Sequence, residues 1–196
     1  MRTAIQDIHE YWFGPLDAAG MARPEQHQLW FSASDATDAD LRRRFGALVE
    51  RALDGALHAW ADDDAGLVAL VLLLDQFTRN IFRGTPRAFA GDPQALALAR
   101  QTVAAGRHRR LPAIHRVFLY LPLEHCEDLA TQDECLRLFA ELARDSGGES
   151  VAGFQRYALA HREVIAQFGR FPHRNAMLGR DSTPEELAHL ASHGGF

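Results

Sequence analysis

Apolar residues recur every three or four positions along most of this chain, and strand signals are nearly absent. Thr3 followed by Gln6 forms a capping box that opens a short helix through Ile8 and Trp12, which Gly14-Pro15 ends. The polar stretch from Asp17 to Gln28 reads as a loop or a broken helix. Asp38 is placed to cap a long helix that carries Leu41, Phe45, Leu48, Ala52 and Leu53, with Asp54-Gly55 as an interruption or kink before Leu57 and Trp60. Asp62-Asp63-Asp64 then precede Leu67 to Leu74, eight residues that are apolar on every side. Acidic residues suit the positive end of a helix dipole, and an all-round apolar helix is buried. This segment is expected to be the central helix, running through Asp75-Gln76-Phe77-Thr78-Arg79-Asn80-Ile81-Phe82 and stopping near Gly84.

The second half continues in the same way. Asp92 as cap and Pro93 at the first helical position start a helix through Ala95, Leu98, Ala99 and Val103, closed by Gly106. Pro112 opens the next, with Ile114, Val117, Phe118 and Leu121. Pro122 should kink or break it, because proline removes a hydrogen bond and clashes with the preceding turn; helix is expected to resume from Glu124 to Leu129. Thr131 with Glu134 reads as a second capping box, leading into Leu136, Phe139 and Leu142. Ser146-Gly147-Gly148 is a loop. Val151 to Phe168 is helical, with Phe154, Tyr157, Ala158, His161, Ile165 and Phe168 recurring, and Gly169 is its stop. Thr183, Pro184 and Glu186 form a third capping box, and Gly194-Gly195-Phe196 a frayed tail. The pattern predicts an all-α, multi-helix array of eight or nine helices. It forms one domain over residues 1–196, with no linker and no low-complexity segment.

Composition narrows the chemistry. The chain has 196 residues, 47% of them hydrophobic, which is enough for a sizeable core. Its formal charge of -5 argues against a nucleic-acid surface, and Arg42-Arg43-Arg44 reads as the solvated face of a helix. All 21 basic residues are arginine. Without lysine there is no Schiff base and no P-loop cradle, while arginine suits bidentate recognition of carboxylate or phosphate. Cys126 and Cys135 make neither a disulfide framework nor a zinc spacing. The charged start, Met1 to Asp7, is unlike a signal peptide, and the longest apolar run is far short of a membrane span. A cytoplasmic protein is expected, without nucleic-acid or membrane partners.

Polar side chains then cluster in three blocks. Asp75, Gln76, Arg79 and Asn80 follow directly on the apolar run; Asp75 with Arg79, and Gln76 with Asn80, share helix faces. Such groups wall a pocket or fix helix register. Tyr120, Glu124, His125, Glu127 and Asp128 surround Pro122, and Glu124 with His125 is the best acid/base pair. Adjacent Glu-His is not a metal signature, so no metal or cofactor is assigned. His161 and Arg162 precede Arg170, Phe171, Pro172, His173, Arg174 and Asn175, where cations are held on a stiff turn ready for an anion. No nucleophile elbow, dinucleotide fingerprint, His-Glu-x-x-His or Cys-x-x-Cys occurs.

These residues resemble a known family. Asp75 to Asn80, Tyr120 to Asp128 and Phe168 to Asn175, with Trp12-Phe13-Gly14, Leu178-Gly179-Arg180 and Thr183-Pro184-Glu185-Glu186, look like the signature blocks of DUF924, bacterial proteins of unknown function. The resemblance spans essentially the whole chain and implies an all-helical fold of the tetratricopeptide-like superfamily. It departs at Cys126, where the family usually has serine.

The leading expectation is a pocket for a small anionic molecule, with Asp75, Arg79, Glu124, His125, His161, Arg170 and Arg174 converging and Gln76, Asn80, His173 and Asn175 beside them. Two other readings stay open. One is a helical scaffold whose polar blocks are internal struts, with a protein partner or a homo-oligomer. The other is a metal-dependent hydrolase using Glu124, His125, Asp128 and His161.

Overall fold

In the computed structural model, which describes residues 3–32, 34–146 and 151–195, regular structure is helical throughout, with no strand among the described residues. The N-terminal capping box forms as its letters require: Thr3 accepts from the Gln6 backbone N–H while the Gln6 side chain accepts from that of Thr3. It opens α1 (Ala4–Trp12), whose Ile8 and Trp12 are buried four residues apart. At the end of the stretch that reads as a loop or a broken helix, a short helix α2 (Gln26–Phe31) forms; its Trp30 indole donates to the Trp12 carbonyl at 2.9 Å. The long helix α3 (Asp35–Leu53) begins earlier than its acidic cap candidate suggests. Ser34 caps it, so Asp38 falls inside the first turn, buried, and receives Arg83 and Asn80 instead.

The apolar run becomes the centre of the molecule. Asp63 caps α4 (Asp64–Val71), and every residue from Leu67 to Leu74 is at most 2% exposed. The rod then widens into a π-helical stretch, Leu72–Phe77, before returning to regular helix in α5 (Thr78–Ile81). Widening to i→i+5 bonding strands backbone carbonyls. Side chains meet two of them: Thr78 Oγ1 donates to Leu74 O at 2.8 Å and Arg79 to Asp75 O at 2.6 Å.

Asp92 is the first residue of α6 (Asp92–Ala104), not its cap; Gly91 holds that place, with its Cα packed on the Leu74 carbonyl. In α7 (Ala113–Glu124), Pro122 does not break the helix. It sits in the last turn, where the only carbonyl it deprives is that of Phe118. The helix does not resume over 124–129. Asp128 accepts from the Thr131 N–H and hydroxyl and caps α8 (Leu129–Asp145), displacing the Thr131/Glu134 box because aspartate is the stronger cap. Helix α9 (Ala152–Phe168) ends at Gly169 in the left-handed region, φ 69°, and the third capping box opens α10 (Pro184–His193) as predicted. The loop at Gly147-Gly148 and the terminal Phe196 lie outside the described residues. Gly194 and Gly195 are exposed and outside any helix, with Gly195 beside His173.

The central rod packs on α1, α3, α6 and α7, and α8 bridges α7 and α9. One apolar cluster reaches from Ile8 to Ala158, and a small second cluster joins Val164, Ile165 and Phe171. No helix among the described residues is long and apolar enough to cross a membrane.

Candidate functional site

A cavity of about 500 Å³ opens where the widened rod, the end of α7, α9 and the turn after Gly169 meet. Each element delivers its polar residues for a local reason. The π-helical stretch brings Gln76, and α5 brings Arg79 and Asn80, to the cavity, with Asp75 buried behind them. Helix α7 ends at Glu124 and His125, so both side chains leave a helix terminus and stand at the cavity floor. Helix α9 adds Phe154, Tyr157 and His161, and the short 3-10 turn Pro172–Arg174 adds His173 and Arg174. Aromatic rings of α2 form the opposite wall. Phe31 and Tyr157, each about half exposed, stack with centroids 5.8 Å apart and planes 4° from parallel.

Asp75 organises the floor. Its Oδ1 meets His125 Nδ1 at 2.8 Å, its Oδ2 accepts from Gln76 at 2.6 Å, and Arg79 lies 3.2 Å away. Burial favours its neutral form, but Arg79 and then His125 outweigh this and hold the carboxyl well below its usual range. An ionised Asp75 makes His125 Nδ1 the donor, so the ring's remaining lone pair is on Nε2. Arg79 also forks onto Asp92 at 2.8 and 3.0 Å, a bidentate pair across to α6.

Glu124 and His161 complete the floor. Glu124 Oε1 lies 3.2 Å from His161 Nδ1, which also meets the Tyr157 carbonyl at 2.9 Å. Glu124 is 3% exposed, and its Oε2 has no partner. Burial, reinforced by the Asp75 charge, pushes its carboxyl up to about 8. Burial, then His125, pushes His161 down to about 3, and burial, then Arg174, pushes His173 down to about 4. Arg174 lies between Phe89 and Phe171, its guanidinium 4.8 and 4.5 Å from the two ring centroids. Its nearest carboxylate contact is Asp92 at 3.6 Å, and its buried Nε has no partner.

The structure thus gathers Asp75, Gln76, Arg79, Asn80, Glu124, His125, His161, His173 and Arg174 about one cavity. Arg170 and Asn175 do not join them. Arg170 forks onto Glu186 at 2.7 and 2.9 Å, and Asn175 donates to Ser182 and Glu186, so both are struts that dock α10. Glu127 binds the Phe171 N–H and Arg180, Asp128 is a helix cap, and Tyr120 is buried against Arg116. Sequence reasoning passed over Asp92 and Asp38, whose cap chemistry hides long-range pairing, and the walls made by Trp30 and Phe89, which carry no local signal.

The family model described as bacterial protein of unknown function (DUF924) matches residues 8–194. A solved protein of unknown function from Agrobacterium tumefaciens is similar over 96% of this chain and 97% of its own, with 36% identity and a TM-score of 0.79. No curated protein matches the chain. The chain belongs to the DUF924 family.

Proposed function

We propose that this DUF924 member binds a small organic acid, a carboxylate or phosphate carrying an apolar body, with Glu124 and His125 at the reactive end of the cavity. The observation that carries this reading is Arg174. Its guanidinium is buried between two rings, its Nε is unpartnered, and the carboxylate in ion-pair range of it, Asp92, already serves Arg79 in a bidentate pair. A buried cation with donors to spare is stabilised by an incoming anion. The aromatic wall of Trp30, Phe31, Phe154 and Tyr157 supplies a surface for an apolar body.

Titration calorimetry with phenyl phosphate and phenylacetate tests the reading. Arg174→Gln should weaken binding about 10- to 100-fold, the range for one charged hydrogen-bonding group. Arg170→Gln, outside the cavity, should leave affinity unchanged. No binding of either probe, or affinity indifferent to Arg174, overturns it.

A further inference from the structure

We propose that Glu124, His125 and His161 bind a first-row divalent metal ion at the floor of the cavity. Each of the three offers one ligand atom, and those atoms all lie within 4.8 Å of one another. A side-chain adjustment of under about one ångström brings such a triangle to the roughly 2.0–2.2 Å bonds of zinc with nitrogen and oxygen. Two histidines and one carboxylate are a ligand set shared by catalytic zinc sites and non-haem iron sites, both of which keep coordination positions open for substrate. All three residues line the cavity, so the open positions face it.

Two independent observations point to a cation. The first is Glu124 Oε2, a carboxylate oxygen sealed from solvent with no hydrogen-bond partner, on a side chain 4% exposed. A buried acceptor left unpaired costs free energy that a metal bond removes. The second is Asp75. By engaging His125 Nδ1 it sets Nε2 as the coordinating atom, the carboxylate–histidine arrangement that orients metal-bound imidazoles.

Asp75 and Asp92 are engaged by Arg79 and Arg174, so these two carboxylates and two guanidiniums balance. A divalent ion bound by Glu124, His125 and His161 adds positive charge to the floor and makes it attractive to an organic anion held by Arg174. In this respect the inference deepens the anion-binding reading, yet the two are separable by experiment. Asp128 has no part, because it caps α8.

The test uses tag-free, chelator-stripped protein titrated separately with Zn²⁺, Co²⁺ and, under anaerobic conditions, Fe²⁺. One equivalent should bind. The Co²⁺ form should show visible bands of nitrogen and oxygen ligation that change when phenyl phosphate is added. Glu124→Gln and His161→Gln should each weaken uptake tenfold or more, and Asp75→Asn about 10- to 100-fold by weakening the contact that orients His125. The double variant H189N/H193N, on α10 and outside the cavity, should bind as the parent does. No uptake of any of the three ions, uptake undiminished by Glu124→Gln, or uptake abolished by H189N/H193N each overturns the proposal. If Glu124→Gln does not fold, the Co²⁺ spectrum of the parent and its response to phenyl phosphate decide. Phenyl phosphate binding through Arg174 without metal uptake removes this inference and leaves the anion pocket standing; metal uptake without anion binding does the reverse.

Discussion

Asp75 and His125, 50 residues apart, meet at 2.8 Å between Oδ1 and Nδ1. The contact ties the widened segment of the central rod to the end of α7, and it decides how the imidazole at the cavity floor is turned. A carboxylate at 0% exposure is tolerable only because Arg79, His125 and Gln76 surround it. The same cluster therefore holds the rod in place and orients His125.

Removing Asp75 should expose this double role. Asp75→Ala leaves Arg79 with Asp92 and the residue-75 backbone carbonyl and strips His125 of its orienting partner, at a cost of about 3–5 kcal/mol for breaking a buried pair. Asp75→Asn keeps the shape and some hydrogen bonding and should cost about 1–3 kcal/mol. Urea unfolding gives both values. Equal stability of the alanine variant and the parent would mean that the cluster contributes nothing to the fold.

A second test addresses the widened rod. Gly91 sits where a Cβ would lie 2.1 Å from the Leu74 carbonyl oxygen, a backbone atom of the π-helical stretch. Its φ of -89° is ordinary, so alanine adds no conformational strain there and the whole penalty is steric. Gly91→Ala should force α6 away from the rod and lose at least the roughly 1–3 kcal/mol of an overpacked core. Since Asp92 follows Gly91, the Arg79 fork should loosen as well, so phenyl phosphate affinity should fall with stability. A variant melting with the parent would show that the two backbones have room to spare.

What the sequence disclosed and what it hid divide along the range of the interactions. The boxes at Thr3 and Thr183 were legible because both partners lie within three residues. Asp38 and Asp92 look like caps from local sequence but pair with distant arginines, since the same carboxylate chemistry serves either role and only the tertiary fold chooses. The all-round apolar run from Leu67 announced the core, whereas its π-helical widening has no letter of its own. Arg170 and Arg174, four residues apart in one block, go to different neighbours because the chain leaves α9 through Gly169 and re-forms a 3-10 turn at Pro172. A candidate site was thus visible as three polar blocks, but its membership was not.

At the mouth, Phe31 and Tyr157 separate binding from folding. Both rings are about half exposed, so the double change F31A/Y157A should alter stability by no more than about 1 kcal/mol, as for two surface sites. Loss of an aromatic partner is worth about 0.5–1.5 kcal/mol, or roughly a 2- to 13-fold loss of affinity. Phenyl phosphate binding should weaken by that factor, and inorganic phosphate binding should not change. If both probes weaken alike, the stacked pair shapes the anion site rather than receiving an apolar body.

Acid stability should depend on a histidine outside the cavity. His115 of α7 packs against Phe13 and His9 of α1, with ring centroids 4.6 and 4.9 Å away. Burial, then the neighbouring His9, lowers its value from 6.5 to about 3. His9 is itself lowered by burial, against the Ala65 carbonyl and Asp63, which act to raise it. Above pH 6.5 His115 is neutral in both folded and unfolded chains and has no effect on the pH dependence. Between 6.5 and 3 the unfolded chain takes up a proton that the folded one refuses, so stability falls as pH falls, by up to about 1.4 kcal/mol per unit for this one group. His115→Gln removes that uptake. It should be less stable than the parent at pH 7, because packing is lost, and the deficit should shrink steadily as unfolding is measured toward pH 4. Parallel stability curves for the two proteins over this range would show that His115 titrates alike in both states, and the acid sensitivity would then belong elsewhere.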